Sequence, residues 1–209
     1  TWTRWSGSTR VAQVNEATAS DVRAKLSVND LVIKAVALAL RAFPAMNAWY
    51  VDAGPDGAPR IRTWASINVG VAVAVDEGLL VPVVRDVDQM SINGINHAIA
   101  DVAARARAGK LRLDDFGGGT FTVDNTGWLG SNLTMPIINA PEVAILTMEE
   151  MKKRPVVVES PQGDMIAIRP TMNMVIGIDH RANDGAGAAA FLRDVRTWLE
   201  AVGPETAIF

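Results

Sequence analysis

Cysteine is absent from this chain. That excludes disulfides, thiolate metal sites and a cysteine nucleophile, so any thiol in its chemistry must arrive on a substrate. Histidine is nearly as scarce: His97 and His180 are the two, and a search for an imidazole base reduces to a choice between them. Neither sign of charge dominates, with 20 Lys and Arg against 23 Asp and Glu for a net charge of −3. No basic stripe interleaves with aromatics, so neither nucleic acid nor an anionic membrane is expected as a partner. Long hydrophobic runs are missing too. The most apolar stretch, Leu31 to Phe43, is broken by Lys34 and Arg41 and is too short to cross a bilayer. No secretory signal is visible, and the chain opens Thr1-Trp-Thr-Arg-Trp5 without a start methionine, as a piece of a longer polypeptide would. A cytoplasmic setting is expected, and a mature mitochondrial domain would have the same composition.

What is present is enough for one large core. The 209 residues are 49% hydrophobic, and residues 1–209 read as a single domain without internal repeats. Within residues 1–26, Val11–Val14 is expected as a strand and Asp21–Leu26 as the start of a helix. Ser27 is a suitable N-cap, with Asp30 favoured in the first turn, for a helix that runs to about Phe43 and stops at Pro44. Asp52 to Pro59 has the composition of a surface loop. Residues 66–75 and 79–84 are nearly continuous β-branched runs, as in strands buried on both faces. Ile92, Ile95, Ile99, Val102 and Ala106 make one face of a helix that Gly109 ends, and His97 lies off that stripe, on the solvated side. Residues 119–124, 142–148, 155–159, 165–169 and 171–178 read as further strands, with a hairpin turn at 161–164. Mixed strands with a few long helices predict an α/β (α+β) layered sandwich with a mixed sheet.

The most informative segment is Asp179-His180-Arg181-Ala182-Asn183-Asp184-Gly185. It follows the apolar strand 171–178 and precedes Ala188, Phe191, Leu192, Val195, Trp198, Leu199 and Val202 at helical spacing. His180 is therefore expected at a strand-to-helix turn, exposed yet held by rigid elements, a seat suited to a general base. A helix N-terminus following it would favour the neutral form of the ring. The same residues have a plainer reading, in which Asp184 is an ordinary N-cap and His180 a turn histidine. Arg181 is either a charge partner or a solvated arginine, and Gly185 is expected to allow close backbone approach.

That segment resembles the DHRxxDG signature of the dihydrolipoamide acyltransferases, the core subunits of 2-oxo acid dehydrogenase complexes. Further resemblances follow in the family's order from about residue 27 onward. They are Ser27 to Ala35, Ser66 to Val75 with Gly78 to Val84, Gly118-Gly-Thr-Phe-Thr-Val-Asp-Asn-Thr-Gly127, and Pro136-Ile-Ile-Asn-Ala-Pro-Glu-Val-Ala-Ile-Leu146. Residues 1–26 match poorly. The resemblance implies a chloramphenicol-acetyltransferase-like fold and acyl exchange between coenzyme A and a dihydrolipoyl arm, with no metal. No Asp-Lys-Ala lipoylation motif is present, so the lipoyl and subunit-binding domains are expected outside these residues. Implied partners are coenzyme A, a lipoyl domain, dehydrogenase subunits, and copies of this chain in homotrimers that build a cubic or icosahedral core. The terminal Ala207-Ile208-Phe209 resembles the apolar tail through which such trimers join.

The resemblance also assigns roles. His180 would take the proton of the attacking thiol, and Asp184 would brace the turn by hydrogen bond or ion pair. The donor to the tetrahedral oxyanion, two residues after the second threonine of the Gly-Thr-Phe-Thr motif, is usually a serine or threonine hydroxyl and sometimes an asparagine. Here that position is Asp124, which when ionised accepts hydrogen bonds and repels negative charge. Either Asp124 is protonated, or Asn125 or a backbone amide takes over, or the enzyme is slow. Asn125-Thr126-Gly127 and Lys152 to Val157 look closer to the branched-chain-type members than to the acetyl-specific ones. Two rival readings stand beside the enzyme: a scaffold subunit of the same core, whose kind tends to lose the histidine, and an acetyltransferase acting on a hydroxyl acceptor, whose kind carries a second histidine where this chain has Asp179.

Overall fold

The computed structural model describes residues 2–5, 26–203 and 205–206. The expected strand at 11–14, most of the expected helix start at 21–26 and the tail at 207–209 lie outside them. The frame is a seven-stranded mixed sheet in the order β1 (Trp2–Trp5), β11 (Met165–Ile178), β9 (Ala144–Met148), β8 (Phe121–Asn125), β4 (Val69–Val71), β7 (Val83–Val84). The N-terminal half of β11 also pairs with β10 (Lys152–Val158). β4, β8 and β9 run parallel, and β11 is antiparallel to β9. Two small hairpins stand apart: β2 (Ala48–Val51) with β3 (Arg60–Thr63), and β5 (Val73–Val75) with β6 (Gly78–Leu80).

Among the described residues, three helices pack on the sheet. α1 (Val28–Ala42) begins at Ser27, whose hydroxyl and backbone N–H exchange hydrogen bonds with Asp30 in a capping box. It is buried nearly all round, from Leu31 through Leu40, as a central helix should be. Its one lysine, Lys34, reaches out to the carbonyls of Met90 (2.6 Å) and Asp88 (3.1 Å). α2 (Ile92–Arg107) buries Ile92, Ile95, Val102 and Ala106, and Gly109 ends it at φ +65°, a geometry glycine adopts without strain. His97 is exposed on its outer side. α3 (Gly185–Ala201) buries Ala188, Phe191, Leu192, Val195 and Leu199. Phe191 meets Phe121 of β8 at 5.6 Å and Phe43 at 5.8 Å between ring centroids, tying helix to sheet.

The sheet differs from expectation in three places. The run 66–75 is two strands, because Ala72 bonds back to Val123 O and the chain then leaves the sheet. The run 79–84 divides likewise, and exposed Leu79 shows that, of these two runs, β4 and β7 are the parts covered on both faces. Conversely, residues 165–178 form one continuous strand, with the hairpin at 161–164 joining β10 to its outer half. The β2–β3 hairpin was not legible from composition. Among the described residues, no helix is long and apolar enough to cross a membrane.

Candidate active site

Alternation along the strands sorts the site residues between the two faces of the sheet. Phe121 and Val123 point into the helical core, and Asn125 shares their side. Its amide nitrogen donates to Asn29 Oδ1 at the start of α1 (3.0 Å), while its oxygen accepts from Gly127 N (3.0 Å). A cavity of about 400 Å³ opens on that side between Asn29, Val71, Ile99, Arg107, Asn125 and Trp128. Thr122 and Asp124 face the other way, together with Thr147 of β9 and with Asn173, Val175 and Gly177 of β11. This second face is covered by the loop 126–140: Asn173 Nδ2 donates to Asn132 O (2.8 Å), and a Cβ on Gly177 would come within 3.2 Å of Pro136 O.

Glu149 anchors that loop. It is 2% exposed, and its carboxylate accepts from Ser131 Oγ (2.5 Å), Thr134 N (2.8 Å), Thr134 Oγ1 (3.1 Å) and Thr126 Oγ1 (3.1 Å). Gly127 is required beneath it, because a Cβ there would sit 2.7 Å from Glu149 O. Asp124 is half-buried, and its carboxyl is pushed above the usual carboxylate range by burial and by the charge of Glu149, against one backbone hydrogen bond at Asn125.

The histidine turn lies elsewhere. Asp179 N donates to Val143 O (2.8 Å), which extends β11 past its last strand residue, and the chain then turns through Ala182 and Asn183, both bonded to Asp179 O (3.0 Å). Arg181 grips Asp179 with Nη2–Oδ2 at 2.6 Å and Nε–Oδ1 at 3.0 Å, and its guanidinium lies 3.5 Å from the centre of the Tyr50 ring. This pair holds the Asp179 carboxyl below its ordinary range. Asn183 Nδ2 donates to Ala45 O (3.0 Å). Asp184 is the N-cap of α3, accepting from Gly187 N at 2.7 Å. His180 stands exposed in the middle of these anchors. Arg181 thus serves as a charge partner. Gly185 does not have the expected role: a Cβ there would meet nothing within 4 Å, and its φ lies outside the left-handed region.

Asp124 and His180 are not brought together within one chain. Asp124 pairs with Thr147 near the end of β9, whereas Ile178 pairs with Ala144 at its beginning. Three residues along the strand and two strand spacings across separate Asp124 from Ile178 by roughly 14 Å, and His180 lies farther out. The chain also places a buried acid, Glu142, at the histidine end. Thr122 Oγ1 donates to it at 2.6 Å, and burial pushes its carboxyl up to about 7 against the hydrogen bonds from Thr122 and Asn139. Glu142, Glu149, Tyr50 and Asn29 escaped the reading of the sequence. The signal that could have found Glu149 is the stretch from Thr126 to Ala140, which contains no charged residue and needs an anchor from outside.

A mixed sheet with helices packed on it is the architecture of the chloramphenicol-acetyltransferase-like fold. A chloramphenicol acetyltransferase superposes over 95% of the chain with a TM-score of 0.56 at 14% identity, a likeness of fold alone. The chain belongs to the family of 2-oxoacid dehydrogenases acyltransferase catalytic domains, whose model matches residues 8–208, reaching back before the first of the motifs at Ser27. It is 42% identical over 178 residues to the lipoamide acyltransferase component of the branched-chain alpha-keto acid dehydrogenase complex of Bacillus subtilis (strain 168), covering 85% of this chain and 40% of that protein. It is 44% identical over 176 residues to the dihydrolipoyllysine-residue succinyltransferase component of the 2-oxoglutarate dehydrogenase complex of Bartonella vinsonii subsp. berkhoffii, covering 84% and 40%. The chain therefore spans about 40% of the length of these relatives. The cubic core of a pyruvate dehydrogenase multienzyme complex superposes with a TM-score of 0.83 at 32% identity, covering 97% of this chain and 81% of that one.

Proposed function

We propose that this chain transfers an acyl group between a dihydrolipoyl arm and coenzyme A in the core of a 2-oxo acid dehydrogenase complex. The observation that carries the reading is the His180 turn: an exposed imidazole between Asp179–Arg181 on one side and the Asp184 cap on the other, in a chain of this family. His180 removes the proton of the attacking substrate thiol as its sulfur adds to the thioester carbonyl. The tetrahedral oxyanion then collapses, the second thiol leaves as thiolate, and the imidazolium returns the proton to it. Asp184 positions the turn and takes no part in the proton transfer. The donor to the oxyanion comes from the Asp124 position.

Because His180 and Asp124 stand at opposite ends of the sheet, the complete site requires a second copy, with His180 of the partner subunit facing Asp124. A homotrimer, built into a larger core that receives lipoyl domains and dehydrogenase subunits, meets that requirement. Exposed Ile166, Ile168 and Val157 on the β10–β11 arm, with Met135 and Ile137 on the covering loop, supply apolar surface for such contacts. For the acyl group we favour branched-chain substrates, on the Asn125-Thr126-Gly127 and Lys152 to Val157 segments and the likeness to the Bacillus subtilis protein.

The test is acyl transfer from acetyl-, isobutyryl- and isovaleryl-coenzyme A to free dihydrolipoamide, with His180→Ala as control. Activity that needs His180 and prefers the branched donors is expected. No activity with any donor, from a well-assembled oligomer, would overturn the reading in favour of a scaffold subunit.

A further inference from the structure

We propose that Glu149 is a positioning residue whose carboxylate, set on the same face of the sheet, helps keep Asp124 a neutral acid that donates a hydrogen bond to the developing oxyanion. This rests on the acyl-transfer reading above. An ionised Asp124 would oppose that chemistry, whereas a protonated carboxyl is a donor of the same shape as an asparagine amide. Asn125 is not placed to substitute, because it lies on the helical side, where its amide nitrogen donates to Asn29.

The surroundings make the neutral form the stable one. Glu149 follows Thr147, the register partner of Asp124, by two residues, so it lies on the same face roughly 7 Å along the strand. Its carboxylate is satisfied by hydroxyls and an amide, with no cation in the set, and its charge is left to act on its neighbours. The other titratable group on this face is Glu142, bonded to Thr122 two residues before Asp124, with its carboxyl pushed up to about 7 by burial. β4, the rest of β8 and β9, the inner half of β11 from Thr171 to Ile178, and the covering loop from Thr126 to Ala140 contain no charged side chain. Lys152, at the start of β10, is paired with Glu150 at 2.6 Å, and Arg154 is bonded to Asn132. On the helical side, Asp30 is held by Ser27 and Asn96, and Arg107 lines the cavity beside Asn125. Thr147 Oγ1, buried next to Asp124, has no partner of its own. Burial already moves the Asp124 carboxyl in the same direction, and a partner subunit across the site would add to it.

The consequence is a rate that falls as pH rises through the ionisation of Asp124, with the position of the fall raised first by burial and further by Glu149. The experiment measures pH–rate profiles and infrared difference spectra of the assembled wild type, Asp124→Asn and Glu149→Gln. The spectra are expected to show a protonated-carboxyl band near neutral pH that Asp124→Asn removes, distinct from any band of Glu142. Asp124→Asn is expected to lack the high-pH fall and to outpace the wild type above it. Glu149→Gln is expected to move the fall, and the loss of the band, to lower pH. The proposal is overturned if Asp124→Asn is slower than the wild type at every pH, or if the band survives that substitution. Failure of Glu149→Gln to move the fall in an assembled protein also overturns it. The infrared assignment is independent of turnover, so an inactive wild type that keeps the Asp124 band would count against the acyl-transfer reading and leave the protonation standing.

Discussion

At one end of the sheet, His180 stands in solvent on a turn held by charge: a bidentate Arg181–Asp179 pair, a guanidinium over Tyr50, and the Asp184 cap. At the other, Asp124 is half-buried on a face it shares with two buried acids, Glu149, whose partners are hydroxyls and an amide, and Glu142, bonded to Thr122. Both ends are rigid, by opposite means. A base that must accept a proton from an arriving thiol needs access and orientation, and exposed ion pairs supply orientation without closing the approach. A group that must remain a hydrogen-bond donor beside developing charge needs protection from ionising, and burial with a like acid nearby acts in that direction.

The comparison can be broken most severely at the exposed end. His180→Ala removes the proposed base and is expected to lower the rate of acyl transfer by about 10²- to 10⁴-fold while leaving the assembly intact. Acyl transfer and sedimentation on the same sample decide this, and an unaltered rate would end the assignment. Next in size is Glu142, the buried acid behind the charged turn. Its folded value of about 7 lies above that of the unfolded chain. It therefore contributes stability at acidic pH that is lost as pH rises through about 7, in all about 3 kcal/mol. Denaturant titrations from pH 5 to 8 should show that loss, and Glu142→Gln should flatten it. Asp184→Ala removes an N-cap and is expected to destabilise by about 1 kcal/mol, with a fall in kcat and little change in KM if the turn loosens. Arg181→Lys keeps the charge but loses the planar fork. A few-fold loss of kcat with unchanged stability is the smallest effect expected, and kinetics with thermal melts measure it.

What could be read in advance follows the same division. The three helices were legible because each carries an apolar stripe bounded by residues with a local physical role: Ser27 and Asp184 as caps, Pro44 and Gly109 as stops. The histidine turn was legible for the same reason, since its Asp179–Arg181 pair and its Asp184 cap lie within seven residues of chain, while Val143, Ala45 and Tyr50 hold it from elsewhere. The Asp124 end was half legible. Its position in the motif was plain, but Glu149 acts on it from another strand, through a parallel register that no local pattern encodes. The merging of 165–178 into one strand and the breaks within 66–75 and 79–84 were hidden likewise, because partners far along the chain decide where pairing continues. Tyr50 and Asn29 became part of the site only through contacts across the fold.

The 14 Å or more between Asp124 and His180 has a genetic consequence if copies of the chain complete the site for one another. Two alleles, Asp124→Ala and His180→Ala, would each be null when expressed alone. Expressed together they would complement, because an interface that takes its histidine from the first product and its acid from the second is whole. With random mixing of equal amounts, about one interface in four meets that condition. A lesion in the active site would then be rescued by a different lesion in the same gene.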